Sequence, residues 1–204
     1  MKVLVAFASE RGGTEGLADM VGSDLRFLGH SVTDVAAHAV TSVDEYDAVI
    51  VGAPIYFGRW HAEALDFIDR FAEPLRQRPV WLFASGPLND DAVKGPIKPI
   101  SHVKQAMKKV NARGQITFGG RLSPAQCDTF MATRMVKKHS GDFRDFTAVS
   151  VWVNEVNKEL WTLRISDVAS HSTAPEQAPP DAVDEFVEES FDASLDVVEP
   201  ALAV

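Results

Sequence analysis

The fold is decided by residues 3–14, which read Val-Leu-Val-Ala-Phe-Ala-Ser-Glu-Arg-Gly-Gly-Thr. The apolar run at residues 3–7 is typical of a strand buried on both faces of a sheet. After a glycine-containing turn, Leu17, Val21 and Leu25 recur at helical spacing. A buried strand that passes so directly into a helix predicts the first half of a β-α-β unit.

The same alternation continues along the chain. Apolar runs at residues 48–51 and 80–84 predict two more buried strands, and weaker runs predict strands at residues 31–35 and 116–118. Helical spacing lies between and after them, at residues 64–72 (ending before Pro74), 103–110 and 149–163. Alternating strands and helices with short connections imply a doubly wound α/β domain, with a five-stranded parallel sheet and helices on both faces.

Charge divides the chain into two parts. Residues 1–164 hold all 20 Lys and Arg against 19 Asp and Glu, a net charge of +1. Residues 165–204 carry the other 10 acids and include Ser-Thr-Ala-Pro-Glu-Gln-Ala-Pro-Pro at 172–180. We therefore expect one domain over 1–164 and an acidic, disordered tail over 165–204, with a tethered helix that binds a protein partner as the alternative. An acidic tail on a nearly neutral body argues against nucleic acid as a partner.

Other features of the sequence indicate a cytoplasmic protein. The chain starts directly on its first strand without the pattern of a secretory leader, and no apolar run is long enough to span a membrane. The single cysteine, Cys127, can form neither an internal disulfide nor a cysteine-rich metal cluster. We expect no metal site.

The loop after the first strand has the composition of a phosphate cradle. Glycines let a backbone approach a ligand closely, hydroxyls add hydrogen-bond donors, and the start of a helix favours an anion. The alternative is an ordinary turn in which Thr14 caps the helix. The spacing matches neither a P-loop nor a dinucleotide fingerprint. The predicted contacts are Ser9, Glu10, Arg11, Gly12, Gly13 and Thr14.

Two further loops follow strands that should end at the same edge of the sheet. The loop after the third strand is rich in aromatic residues, which suit a planar ring, although Phe57 or Trp60 could instead cover the next helix. The loop after the fourth strand contains Gly and Pro, so its backbone is the expected contact. The predicted binding residues here are Ala53, Pro54, Ile55, Tyr56, Phe57, Gly58, Ser85, Gly86, Pro87 and Leu88.

These motifs resemble those of a known superfamily. Ser9-x-x-Gly12-x-Thr14 resembles the T-x-T-G-x-T phosphate loop of flavodoxins, and residues 52–58, Gly-Ala-Pro-Ile-Tyr-Phe-Gly, resemble their second flavin loop. The wider match is closest to the menaquinone-dependent protoporphyrinogen oxidase family, whose G-A-S-I-R-Y-G-H loop resembles residues 52–61 and whose late K-x-S-G resembles residues 138–141. The resemblance covers residues 1–164. Arg11 replaces a flavodoxin hydroxyl, and we hypothesise that it pairs with the phosphate charge.

The resemblance implies a sheet of order 2-1-3-4-5 that binds flavin mononucleotide (FMN). It also implies an oxidoreductase that passes electrons from a small reduced substrate, such as a porphyrinogen, to a quinone. The flavin would carry the chemistry, so no side chain is assigned as catalytic. His61 is a candidate polar group near the ring, with a structural role as the alternative. Two rival functions are a flavodoxin-type electron carrier and an NAD(P)H-quinone reductase.

Peripheral contact with a membrane is a separate hypothesis. Residues 121–144 form an insertion-like stretch with apolar and basic side chains, which could rest on an anionic membrane. A surface helix with a solvated basic end is the alternative.

Overall fold

The computed structural model describes residues 1–89, 91–122 and 140–171. Several expectations concern residues outside these ranges: Cys127, the centre of the stretch proposed to contact a membrane, the first two residues of the 138–141 motif, and most of the predicted tail. The strands are β1 (Lys2–Phe7), β2 (Ser31–Ala36), β3 (Ala48–Tyr56), β4 (Arg59–Trp60), β5 (Val80–Ser85), β6 (Gly114–Phe118), β7 (Arg121–Leu122) and β8 (Gly141–Asp142). The helices are α1 (Gly13–Phe27), α2 (Ala62–Arg70), α3 (Ala72–Arg76), α4 (Asp91–Lys94), α5 (Ser101–Val110) and α6 (Phe146–His171), with a 3-10 turn at Ala37–Ala39.

The main sheet has the predicted topology. Its parallel strands lie in the order β2-β1-β3-β5-β6, so the expected order 2-1-3-4-5 is confirmed, with β5 and β6 as the fourth and fifth strands. The numbering shifts by one because a short extra strand, the two-residue β4, pairs with the end of β3 in an antiparallel hairpin. β7 and β8 form a separate two-stranded sheet after β6.

The helices cover both faces of the sheet, as a doubly wound fold requires. One face packs against α2, α3 and α5, where Phe67, Leu75 and Val103 are buried. The other packs against α1 and α6, where Phe83, Phe118 and Trp152 form a cluster of tilted and edge-on aromatic contacts. This two-sided burial explains why the strands read as continuous apolar runs.

Two helix boundaries differ from expectation. The helix predicted over residues 64–72 breaks at Phe71 and restarts as α3, which contains Pro74 near its start, where the missing N–H would have no intrahelical partner. The helix predicted over residues 149–163 is longer than expected and spans Phe146–His171 as α6. Among the described residues, no helix is both long and apolar enough to cross a membrane.

The central strand β3 depends on a glycine. An ideal Cβ built on Gly52 would lie 1.9 Å from Cζ of Phe83, its partner on the neighbouring strand β5. The Phe83 ring therefore occupies the space that any other side chain at residue 52 would need. Close packing of this aromatic cluster depends on that missing atom.

We expect Gly52→Ala to lower the free energy of unfolding by about 1–3 kcal/mol, because the added methyl forces the Phe83 ring out of its packed position. Denaturant unfolding followed by tryptophan fluorescence measures the change. Thr33→Ala, at an exposed position of β2, is the control and should have a much smaller effect. An unchanged unfolding midpoint in Gly52→Ala would contradict the close contact.

Candidate functional site

The three predicted loops meet at the carboxyl edge of the sheet, where they enclose a cleft. A fourth segment, immediately after β6, completes the wall. The cleft is lined by Arg11, Gly13, Thr14, Pro54, Ile55, Tyr56, Phe57, Ser85, Gly86, Leu88, Gly120, Arg121 and Leu122. Arginines are the charged members of this lining, so the cleft favours an anionic ligand.

The start of α1 forms the polar wall. Gly12 precedes the helix with φ = 65°, a left-handed conformation that favours glycine, and as the N-cap residue it has no side chain that could cap the helix. The first N–H groups of a helix have no intrahelical acceptor, so these point outward as donors. The hydroxyl oxygen of Ser9 is also buried, without a hydrogen-bond partner among the described residues. This wall can therefore bind an anion such as a phosphate.

The hairpin of β3 and β4 forms an aromatic wall. Its strands pair Tyr56 with Arg59, which leaves a two-residue turn of Phe57 (φ = 49°) and Gly58 (φ = 74°). Two consecutive positive φ values are typical of a type I′ turn, in which a phenylalanine is unusual and strained. The turn places the Phe57 ring beside the cleft with 92% of the residue exposed. An exposed ring held by a rigid turn is suited to stacking on a flat ligand.

Trp60 lies on the other side of the same hairpin. It is buried in the core on the face of the sheet that α2, α3 and α5 cover, and its indole Nε1–H donates a hydrogen bond to the carbonyl oxygen of Ala53 at 3.2 Å. Of the two aromatic residues considered from sequence, Trp60 therefore has the structural role, whereas Phe57 faces the cleft.

A group of polar side chains joins the phosphate-type loop to the aromatic hairpin. His61 Nε2 lies 3.0 Å from Oε1 of Glu10, and the His61 ring meets the Tyr56 ring edge-on with centroids 6.1 Å apart. The guanidinium carbon of Arg11 lies 6.0 Å from the centre of the Tyr56 ring. Burial raises the pKa of the Tyr56 phenol, the Glu10 carboxylate raises it further, and Arg11 opposes both. Tyr56 therefore stays protonated over the physiological range.

The loop after β5 is tied to the end of β6. The backbone N–H of Gly86 donates to the carbonyl oxygen of Phe118 at 2.9 Å, and that of Gly120 donates to Pro87 at 3.0 Å. An ideal Cβ on Gly120 would lie 2.7 Å from the Gly86 carbonyl oxygen, so only glycine fits there. Ser85 is buried below this contact. The backbone of this loop is thus held rigidly at the cleft.

The predicted binding residues fall into two groups. Ten of them line the cleft directly, in all three loops. The others border it: Gly12 begins α1, Glu10 pairs with His61, Gly58 completes the hairpin turn and Pro87 accepts the bond from Gly120. Ser9 contributes its buried hydroxyl, and Ala53 is fully buried in β3.

Sequence reasoning missed three lining residues, Gly120, Arg121 and Leu122. A signal was present, because they directly follow the fifth predicted strand and therefore lie at the carboxyl edge of the sheet. Two of them, Arg121 and Leu122, fall in the insertion-like stretch predicted at residues 121–144.

A larger depression lies at the opposite, amino-terminal edge of the sheet, with a volume of about 540 Å³ against about 140 Å³ for the cleft. Its arginines already have partners: Arg76 binds Glu73, Arg78 binds backbone carbonyls, and Arg113 lies near Glu159. The cleft is the better candidate because the buried hydroxyl of Ser9 beside it has no hydrogen-bond partner among the described residues. In the described part of the chain, no cluster of His, Cys, Asp and Glu is arranged to hold a metal ion.

Comparison with known proteins agrees with this geometry. The profile of a family described as "Flavodoxin domain" matches residues 4–147. Among solved structures, a flavodoxin from Streptococcus pneumoniae TIGR4 superposes with a TM-score of 0.53 at 20% identity, covering 78% of this chain and 99% of that one. At this identity the similarity shows the fold. A flavin is the cofactor that such a fold implies.

Among curated proteins, the protoporphyrinogen IX dehydrogenase [quinone] of Escherichia coli (strain K12) is 30% identical over 81 residues. The matched region is 39% of this chain and 45% of that enzyme. The same enzyme from Escherichia coli O157:H7 matches to the same extent. The chain thus matches less than half the length of these curated relatives.

The charges around Tyr56 predict how its phenol titrates. The chain has two tyrosines, so a Tyr46→Phe background isolates Tyr56 in an ultraviolet titration. We expect Glu10→Gln to lower the pKa of Tyr56, because it removes a neighbouring negative charge, and Arg11→Gln to raise it. Glu15→Gln, an exposed change in the first turn of α1, is the matched control. Equal titration curves for Glu10→Gln and the control would refute this placement of Glu10.

Proposed function

Because the chain belongs to the flavodoxin-domain family, we propose that it is an FMN-dependent oxidoreductase that passes electrons from a reduced substrate to a quinone. The cleft is the main support for the proposal, because it combines the backbone N–H donors at the start of α1 with the exposed ring of Phe57. The most specific part of this observation is the buried hydroxyl of Ser9, which has no hydrogen-bond partner among the described residues. A buried hydroxyl without a partner is costly, and an FMN phosphate would satisfy it.

Each wall of the cleft has a distinct task toward FMN. Ser9, Gly12 and Thr14 would hold the phosphate together with the first N–H groups of α1. Tyr56 and Phe57 would lie against the flat ring system, and the backbone of residues 85–88 would meet its polar edge. When bound, FMN supplies the redox chemistry by taking up an electron pair and releasing it to an acceptor. The protein binds the cofactor, orients it and restricts access to it.

The proposed electron acceptor is a flat and largely apolar molecule. The exposed Phe57 ring offers a stacking surface at the mouth of the cleft, and Pro54, Ile55 and Leu88 add apolar wall. A quinone fits this surface as electron acceptor. The name of the E. coli relatives supports protoporphyrinogen as the reduced substrate, through a match that spans part of each protein.

The alternative is an electron carrier that serves protein partners. Such a protein needs a charged face complementary to its partner. The net charge of +1 over residues 1–164 offers little of this kind. Small flat substrates therefore fit the body of the protein better than a docking partner does.

One set of mixing experiments separates these functions. The purified protein is examined for a flavin absorption spectrum, loaded with FMN and mixed anaerobically with protoporphyrinogen, then with menadione. We expect bleaching by protoporphyrinogen and recovery by menadione. Rapid reduction of the flavin by NADPH instead would identify an NAD(P)H-quinone reductase. If neither protoporphyrinogen nor NADPH reduced the flavin, the result would identify an electron carrier. A colourless protein that binds no added FMN would refute the proposal.

Phe57 provides a sharper test of the cleft itself. We expect Phe57→Ala to weaken FMN binding by roughly threefold to tenfold, the usual value of one aromatic contact, and to slow reoxidation by menadione. Phe27→Ala is the matched control, because Phe27 is 91% exposed at the far end of α1. Fluorescence titration with FMN measures both variants. Equal affinities would show that the Phe57 ring does not contact the flavin.

A further inference from the structure

We infer that Arg121, at the start of β7, is a second cationic contact for the FMN phosphate, beside the one hypothesised for Arg11. This inference rests on the proposed function, since it takes FMN as the ligand. It adds a binding residue from a segment that none of the three predicted loops contains.

Backbone geometry places Arg121 against the first turn of α1. An ideal Cβ on Gly13, the first residue of that helix, would lie 3.3 Å from the carbonyl oxygen of Arg121 and 3.7 Å from its Cβ. A side chain at residue 13 would fit only tightly between the two segments. The Arg121 side chain is exposed and also lines the cleft. It therefore begins within reach of an anion bound at the start of α1.

The charges around the start of α1 indicate that an anion binds beside Arg121. The start of a helix carries a partial positive charge, so a cation beside it is repelled unless an anion lies between them. A second guanidinium, that of Arg144, packs near Gly16 in the same turn. It is neutralised by Asp142, whose Oδ1 accepts from Nε at 2.8 Å and whose Oδ2 accepts from Nη2 at 2.6 Å.

Asp142 lies opposite Arg121 in the β7–β8 pair, but its main partner is Arg144. The hydrogen bond from Arg144 is the largest cause that lowers the pKa of Asp142, and the charge of Arg121 is the smallest. The single carboxylate is therefore engaged mainly by one of the two arginines. No salt bridge among the described residues includes Arg121, so its charge can attract an anion in the cleft.

Arg11 and Arg121 approach the start of α1 from different sides. Arg11 extends toward the aromatic hairpin, where its guanidinium lies 6.0 Å from the Tyr56 ring centre. Arg121 approaches from the β6 side of the sheet, against the helix itself. A phosphate monoester carries close to two negative charges at neutral pH, so it can be attracted by both.

Comparison of FMN with riboflavin tests the inference directly, because the two differ only in the phosphate. We expect Arg121→Gln to raise the Kd for FMN by about tenfold and to leave the Kd for riboflavin unchanged. Arg113→Gln, the same change at the opposite edge of the sheet, should leave the ratio of the two Kd values at the wild-type value. A parallel loss for both flavins, or no loss for either, would overturn the inference.

Two further measurements separate a charge effect from a folding defect. Without FMN, Arg121→Gln should melt at the wild-type temperature or above it, since it relieves repulsion at α1, whereas the rise on adding FMN should shrink. Arg121→Lys keeps the charge and should retain most of the preference for FMN. A lower melting temperature of the apoprotein with a full FMN response would assign Arg121 a structural role. If the wild-type protein binds neither flavin, the proposed function itself fails.

Discussion

The cleft exists because backbones meet there without side chains between them. Gly120 lies against the carbonyl of Gly86 at a distance that a Cβ atom would not allow, and Gly13 lies against the carbonyl of Arg121, where a Cβ atom would be tight. These contacts bring the start of α1, the loop after β5 and the segment after β6 to one point. Hydrogen bonds from Gly86 to Phe118 and from Gly120 to Pro87 then fix them. The polar groups of the cleft are thus held in place before any ligand arrives, which lowers the entropic cost of binding.

Much of this arrangement could be predicted from the sequence. Continuous apolar runs in β1, β3 and β5 indicated strands buried on both faces, and their alternation with helices indicated a parallel sheet. That topology directed attention to the loops at the carboxyl ends of the strands. The family resemblance supplied the strand order, because apolar periodicity does not say which strands are neighbours. Local pattern therefore sufficed for the elements and for most of the cleft.

What the sequence could not provide depends on register and on distant contacts. Phe57 is exposed and Trp60 is buried because Phe57 lies in the two-residue turn, whereas Trp60 lies in β4 and faces the core. This difference depends on the pairing of β3 with β4. Arg121 reaches α1 only through the path of the whole sheet, from a position far along the chain. The break at Phe71 is not signalled by the apolar spacing, which continues through Phe67, Ile68 and Phe71. None of these facts follows from spacing alone.

Phe57 lowers the stability of the turn, while its exposed ring provides a surface for binding a flat ligand. A phenylalanine with φ = 49° is strained by about 1–2 kcal/mol, whereas asparagine adopts the same backbone readily. Selection of a mutant library for thermostability alone would therefore replace Phe57. The most stable variants would bind a flat ligand most weakly. Retention of this residue during directed evolution would itself report that the cleft is in use.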